Sequence, residues 1–172
     1  MTLDEWKRPL DVNLDSLFLC CKAVLPEMIR KKYGKLINFS SGTGKQPLSH
    51  RAPLCHHQDG VIGFTRTLAT DVGRYNINVN VICPGGHEER SLELAQGRAE
   101  MMNRPFDKAE FRNKFRQSTP KQILAGRWCA DEGCGNKGSG TEEEASLALF
   151  LALDDSASMI GQDINFGGEI MW

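Results

Sequence analysis

The chain has 172 residues, 40% of them hydrophobic, which is enough for one domain with a core, or part of one, and too short for two ordinary domains. Lysine and arginine total 21 against 22 acids, so a net charge of −1 gives no long-range field that would favour nucleic acid or an anionic membrane, and neither partner is expected. The longest apolar runs, such as Leu147 to Leu153, fall far below the roughly 18 residues of a membrane span, and Met1 to Leu10 is acidic and polar where a signal peptide would be basic and then apolar, so a cytoplasmic protein is expected.

From Asp15 to Lys32, apolar residues at Leu17, Phe18, Cys21, Val24, Leu25, Met28 and Ile29 recur at helical spacing, and Gly34 marks the end of a long amphipathic helix. Lys35 to Ser41 is β-prone and lies between a glycine and a Gly-Thr-Gly turn, which predicts a strand. After a polar loop, Val61, Ile62, Phe64, Thr65, Leu68, Ala69 and Val72 predict a second helix over residues 60–73 that Gly73 terminates. Ile77 to Cys83 alternates aliphatic residues with asparagine and stops at Pro84-Gly85, giving a second strand.

Residues 86–140 are an excursion: Ser91 to Arg116 is charged and rich in helix formers, whereas Lys121 to Gly140 has little periodicity. Thr141 to Glu144 opens a further helix with a capping box, and Gln162 to Phe166 closes the pattern as a third strand. Helix and strand alternate as in the right-handed crossovers of a parallel sheet, so the fold class is α/β, one domain or part of one over residues 1–172.

Cys20, Cys21 and Cys83 sit in apolar segments and read as core thiols. Cys55 beside His56 and His57, and Cys129 with Cys134, lack the spacing of a metal site, and none is expected. A GxGxxG pattern at Gly133 to Gly138 has no strand before it, so it reads as a loop rather than a dinucleotide fingerprint.

Four polar motifs carry more information in their order. Asp11-Val12-Asn13-Leu14 precedes the first long helix, and Asn38-Phe39-Ser40-Ser41-Gly42 ends the first strand. Asn78 to Gly85 ends the second, and Gly161 to Asn165 with Gly167-Gly168 forms the last. This series resembles the later part of the short-chain dehydrogenase/reductase family. The resemblance implies a Rossmann-type parallel sheet with flanking helices, here without the first strands and the glycine-rich loop. It also implies NAD or NADP as cofactor and a small-molecule alcohol or ketone as substrate.

Carried over residue by residue, the resemblance makes Asn13 the family's catalytic asparagine and Ser41 its substrate-orienting serine, with Pro84 and Gly85 on the cofactor side. The family's tyrosine and lysine positions fall on Leu54 and Gln58, and its nicotinamide-amide threonine on Glu89. Leucine cannot transfer a proton, and glutamine has no charge to lower the pKa of a phenol. Tyr33 and Tyr75 are the only tyrosines, and neither is followed by lysine four residues on, so no shifted alignment restores the pair. Read one base later, codons for Leu54 to Asp59 admit a Tyr-x-x-x-Lys sequence. The expectation is a truncated, catalytically impaired chain with doubtful cofactor binding, or alternatively a non-catalytic scaffold. In the family, helices matching 15–32 and 60–73 pack against a second subunit, so a homo-oligomer is expected.

Overall fold

A computed structural model of the chain describes residues 2–46, 52–85, 88–118 and 141–166. Strands β1 (Gly34–Phe39), β2 (Ile77–Pro84) and β3 (Asp163–Phe166) form a parallel sheet in the order β1-β2-β3. Gly34 pairs with Ile77 at one end of the first ladder, and Val81 pairs with Asp163 where the second begins. The α/β class, the parallel sheet and the three strands follow the sequence pattern.

Helices α2 (Ser16–Lys31) and α3 (Ala52–Val72) cover one face. Val61 and Ile62 of α3 pack against Val81 and Cys83, while Ala69 and Val72 pack against Ile77 and Val79, with Leu25, Met28 and Ile29 of α2 closing over the second group. Successive strand residues face opposite ways, so Asn78, Asn80 and Ile82 turn to the other face. Beyond it lie helix α6 (Thr141–Ala152), whose Leu151 is buried, and the turn that follows.

Several boundaries differ from expectation. Residues 3–10 form helix α1 (Leu3–Leu10), started by a capping box in which Thr2 Oγ1 accepts from the Glu5 N–H and the Thr2 N–H donates to Glu5 Oε2. A π-helical turn (Asp11–Asp15) joins α1 to α2, so Asn13 sits in a widened turn between helices rather than before the first one. Lys32, in the left-handed region at φ 51°, closes α2 two residues before Gly34, which opens β1 instead. The polar stretch before residue 60 is helical as well. Within the excursion, α4 (Glu88–Met101) and α5 (Lys108–Ser118) are helices, and Glu89 lies in the first turn of α4. The GxGxxG stretch, Cys129, Cys134, Gly86, Gly167 and Gly168 lie outside the described residues.

No helix among the described residues is long and apolar enough to cross a membrane, and no group of three or more His, Cys, Asp or Glu among them is placed to hold a metal ion.

Candidate functional site

The C-terminal ends of β1 and β2 bring the motif residues together. Ser41 follows β1 in extended backbone and caps the short 3-10 turn Gly42–Gly44, its hydroxyl accepting from the Thr43 N–H at 3.2 Å. Ser40 points to the helix side: its hydroxyl donates to the Gln58 carbonyl at 2.8 Å and so ties the strand end to the second turn of α3. Gly44 presses against that same turn. A Cβ added there would lie 2.8 Å from the Gln58 carbonyl carbon, so only glycine permits this approach of the turn to the helix backbone.

Leu54 and Gln58 lie one helical turn apart on α3 and therefore share a face. Leu54 is half-buried. Gln58 is fixed by its neighbour: His57 Nδ1 lies 2.8 Å from the Pro53 carbonyl, which can only accept, so Nδ1 carries the proton and Nε2 accepts from the Gln58 amide at 3.0 Å. The Gln58 Oε1 is buried with no hydrogen-bond partner among the described residues. Position 58 therefore holds a neutral amide locked sideways onto a buried histidine.

Sequence reasoning passed over two charged residues here. Lys45, just past the 3-10 turn, reaches across to β3, where its ammonium donates to the Asp163 carbonyl at 2.7 Å and to Asn165 Oδ1, and lies 3.1 Å from the Asp163 carboxylate. Arg66 of α3 meets the same carboxylate at 2.7 Å. Asp163 thus clamps the loop after Ser41 and helix α3 to the start of the last strand. A single lysine in a Gly-Thr-Gly-Lys turn carries no distinctive spacing, so only the fold brings it to Asp163. Beneath the clamp, burial pushes the Cys83 thiol above its ordinary pKa, as for a core thiol.

The other sequence candidates lie apart. The Asn13 amide donates to the Pro9 carbonyl at 2.8 Å, within its own turn, and no hydrogen bond among the described residues joins Asn13 to Ser41. Tyr33 precedes β1 and donates to Asp154 at 2.9 Å, and Tyr75 precedes β2. Both stand at the opposite end of the sheet from Ser41, roughly 20 Å away at about 3.3 Å per strand residue. Neither can replace a tyrosine at position 54. Pro84 ends β2 and pairs with Phe166 of β3, whose carbonyl accepts from the Gly85 N–H.

Comparison with known proteins agrees with this layout. A family model described as short chain dehydrogenase matches residues 1–95. The chain is 29% identical over 168 residues to the 3-oxoacyl-(acyl-carrier-protein) reductase FabG of Chlamydia muridarum, covering 98% of this chain and 57% of that protein. It is 28% identical over 171 residues to the D-beta-hydroxybutyrate dehydrogenase of Rhizobium meliloti, covering 96% and 59%. A crystal structure of a 3-oxoacyl-(acyl-carrier protein) reductase from Brucella melitensis with bound NAD superposes with a TM-score of 0.71 at 28% identity, over 100% of this chain and 54% of that one. The chain spans less than two thirds of the length of these relatives.

Proposed function

Because this chain belongs to the short-chain dehydrogenase family, we propose that it is an oxidoreductase-family chain that keeps the fold and strand-end site but is impaired in hydride transfer between NAD or NADP and an alcohol or ketone. The observation that carries the reading is the pair at positions 54 and 58 on α3. Leu54 has no proton to give or take, and Gln58 has no charge. Ser41 remains beside them to orient a hydroxyl or carbonyl oxygen, and Asn13 remains on its turn, so the loss of proton transfer falls on the pair at 54 and 58.

The residues present do not fit a nicotinamide cofactor held in the family manner. Gln58, at the position of the family's ribose-binding lysine, is uncharged, spends one amide N–H on His57 and has its oxygen buried, so it does not supply the ammonium that the family's lysine gives the ribose. Among the described residues, Pro84 and Gly85 keep the identities that the family has on the cofactor side. Calorimetric titration of the chain with NAD and with NADP is expected to show no saturable binding at ordinary cofactor concentrations. A micromolar dissociation constant would overturn the reading.

A second reading, a non-catalytic scaffold or oligomerising subunit, draws support from α2, where Phe18, Leu19 and Val24 are 48%, 60% and 42% exposed. The same residues suit a homo-oligomer. Over residues 60–73 the exposed positions are instead Gly63, Arg66, Thr67, Thr70 and Asp71, so the apolar surface lies on one of the two helices expected to pair. Sedimentation is expected to show association that Phe18→Glu with Leu19→Lys abolishes; unchanged association in that variant would remove α2 as the contact.

A further inference from the structure

Met101 ends helix α4 and Met102 follows it, and the two residues are 89% and 62% exposed. The backbone there is closed without either side chain. The Met102 N–H donates to the Arg98 carbonyl at 3.0 Å, the Asn103 N–H to the Glu100 carbonyl at 3.0 Å and the Arg104 N–H to the Ala99 carbonyl at 2.9 Å, with Asn103 in the left-handed region at φ 49°. Burial on α4 falls instead on Leu92, 5% exposed and about two and a half turns earlier. Both thioethers therefore stand clear of the contacts that hold their helix.

The other two methionines among the described residues are Met28 and Met159, and both are engaged in the fold. Met28 of α2 packs with Ala69, Val72, Ile77 and Val79, and its Sδ would lie 2.6 Å from a Cβ added at Gly34, so backbone sits close against the sulfur. Met159 is half-buried, in the turn whose carbonyl the Asn78 and Asn80 amides hold. A thioether is oxidised when a sulfur lone pair attacks an oxygen of a hydroperoxide. The S–O bond forms as the O–O bond breaks, sulfur gives up two electrons, and the hydroxide or alkoxide that leaves takes a proton from solvent to become water or an alcohol. On Met28 the new oxygen would set a polar atom in an apolar cluster, which costs folding free energy. On Met101 or Met102 water hydrates it at once.

We propose that Met101 and Met102 form a reversible oxidation site, each taking one oxygen atom from a hydroperoxide while the sheet and its helices stay folded. Methionine sulfoxide reductases, one for each sulfoxide epimer, would restore them, a dithiol being oxidised to a disulfide as the oxygen leaves in water. The site holds whether or not the chain turns over nicotinamide. The test treats the full chain with dilute hydrogen peroxide at neutral pH and follows each methionine by peptide mass mapping. Oxygen is expected at Met101 and Met102 before Met28 or Met159, with Met28 joining them only when urea unfolds the chain. The chain oxidised at both positions should unfold in urea at the midpoint of the untreated chain. So should Met101→Gln with Met102→Gln, which makes both positions polar without peroxide, and reductase treatment should return the oxidised peptide to its starting mass. Oxidation of Met28 or Met159 as early as the pair, a lowered midpoint in the oxidised chain or the glutamine variant, or a mass that the reductases leave unchanged would each overturn the proposal.

Discussion

Leu54→Tyr combined with Gln58→Lys is expected to raise nicotinamide-linked turnover by about 10²–10⁴-fold, the usual contribution of a placed general acid/base. The comparison is between two chimeras, each fused behind the glycine-rich half that the family resemblance places ahead of these residues. One carries the repaired pair and the other keeps Leu54 and Gln58. Both positions lie on one face of α3, a turn apart, and the Ser40 hydroxyl and Gly44 hold that stretch of helix backbone against the strand end. The backbone is thus already positioned, and only the side chains change.

Tyrosine alone should recover little, because a phenol with a pKa near 10 is a poor base at neutral pH until a nearby cation lowers that value. Lysine at 58 supplies the cation, at the cost of the hydrogen bond that Gln58 now gives His57. Leu54→Tyr alone, Gln58→Lys alone and the pair should therefore be non-additive, with most of the gain appearing only in the double variant. Absorbance of reduced nicotinamide with a panel of secondary alcohols and ketones reads the outcome. Equal turnover by the unrepaired chimera would show that Leu54 and Gln58 are not the catalytic positions.

How much of this was legible beforehand depends on the kind of signal. The three strands and the long helices announce themselves through hydrophobic period, because α2 and α3 each bury one stripe against β2. The motif at Ser40 and Ser41 was legible through its order along the chain. The helical start of α3 was not: Ala52 to Asp59 has no apolar stripe, and its polar residues are fixed by tertiary contacts such as His57 to Pro53 and Ser40 to Gln58. Helix α1 was passed over for a related reason, since a capping box at Thr2 and Glu5 is weak evidence beside Pro9. The Lys45–Asp163 pair spans 118 residues, a separation at which no local pattern operates.

The alternation in β2 misleads in a more instructive way. Alternating aliphatic and asparagine residues ordinarily marks a strand with one wet face, yet Asn78 and Asn80 are 4% and 1% exposed. The asparagines are buried because they complete the backbone of the turn after α6. The Asn78 amide donates to the Ala157 and Met159 carbonyls at 2.8 and 2.9 Å, and the Asn80 amide to the Met159 carbonyl at 2.8 Å. Asn80 Oδ1 in turn accepts from the Gln162 N–H at 2.9 Å.

Asn80→Leu, which keeps the approximate shape and removes both hydrogen bonds, is therefore expected to destabilise the chain by about 1–3 kcal/mol, from loss of the bond to Met159 and of the part-buried acceptor for the Gln162 N–H. That is a large share of the roughly 5–15 kcal/mol that holds a typical domain. The loss should be felt at the site, because Gln162 leads into Asp163, and Gly161, at φ 68°, makes the turn that aims β3. Asn78→Leu leaves Met159 bonded to Asn80, and Asn80→Leu leaves it bonded to Asn78, so only the double variant orphans the Met159 carbonyl. The double variant should then cost more than the sum of the two singles, by about 0.5–3 kcal/mol, as for residues that share a partner. Urea unfolding of the four chains measures this directly. Strict additivity would mean that Met159 is not the shared partner, and an Asn80→Leu midpoint equal to that of the unmodified chain would show that the asparagine does not hold the turn.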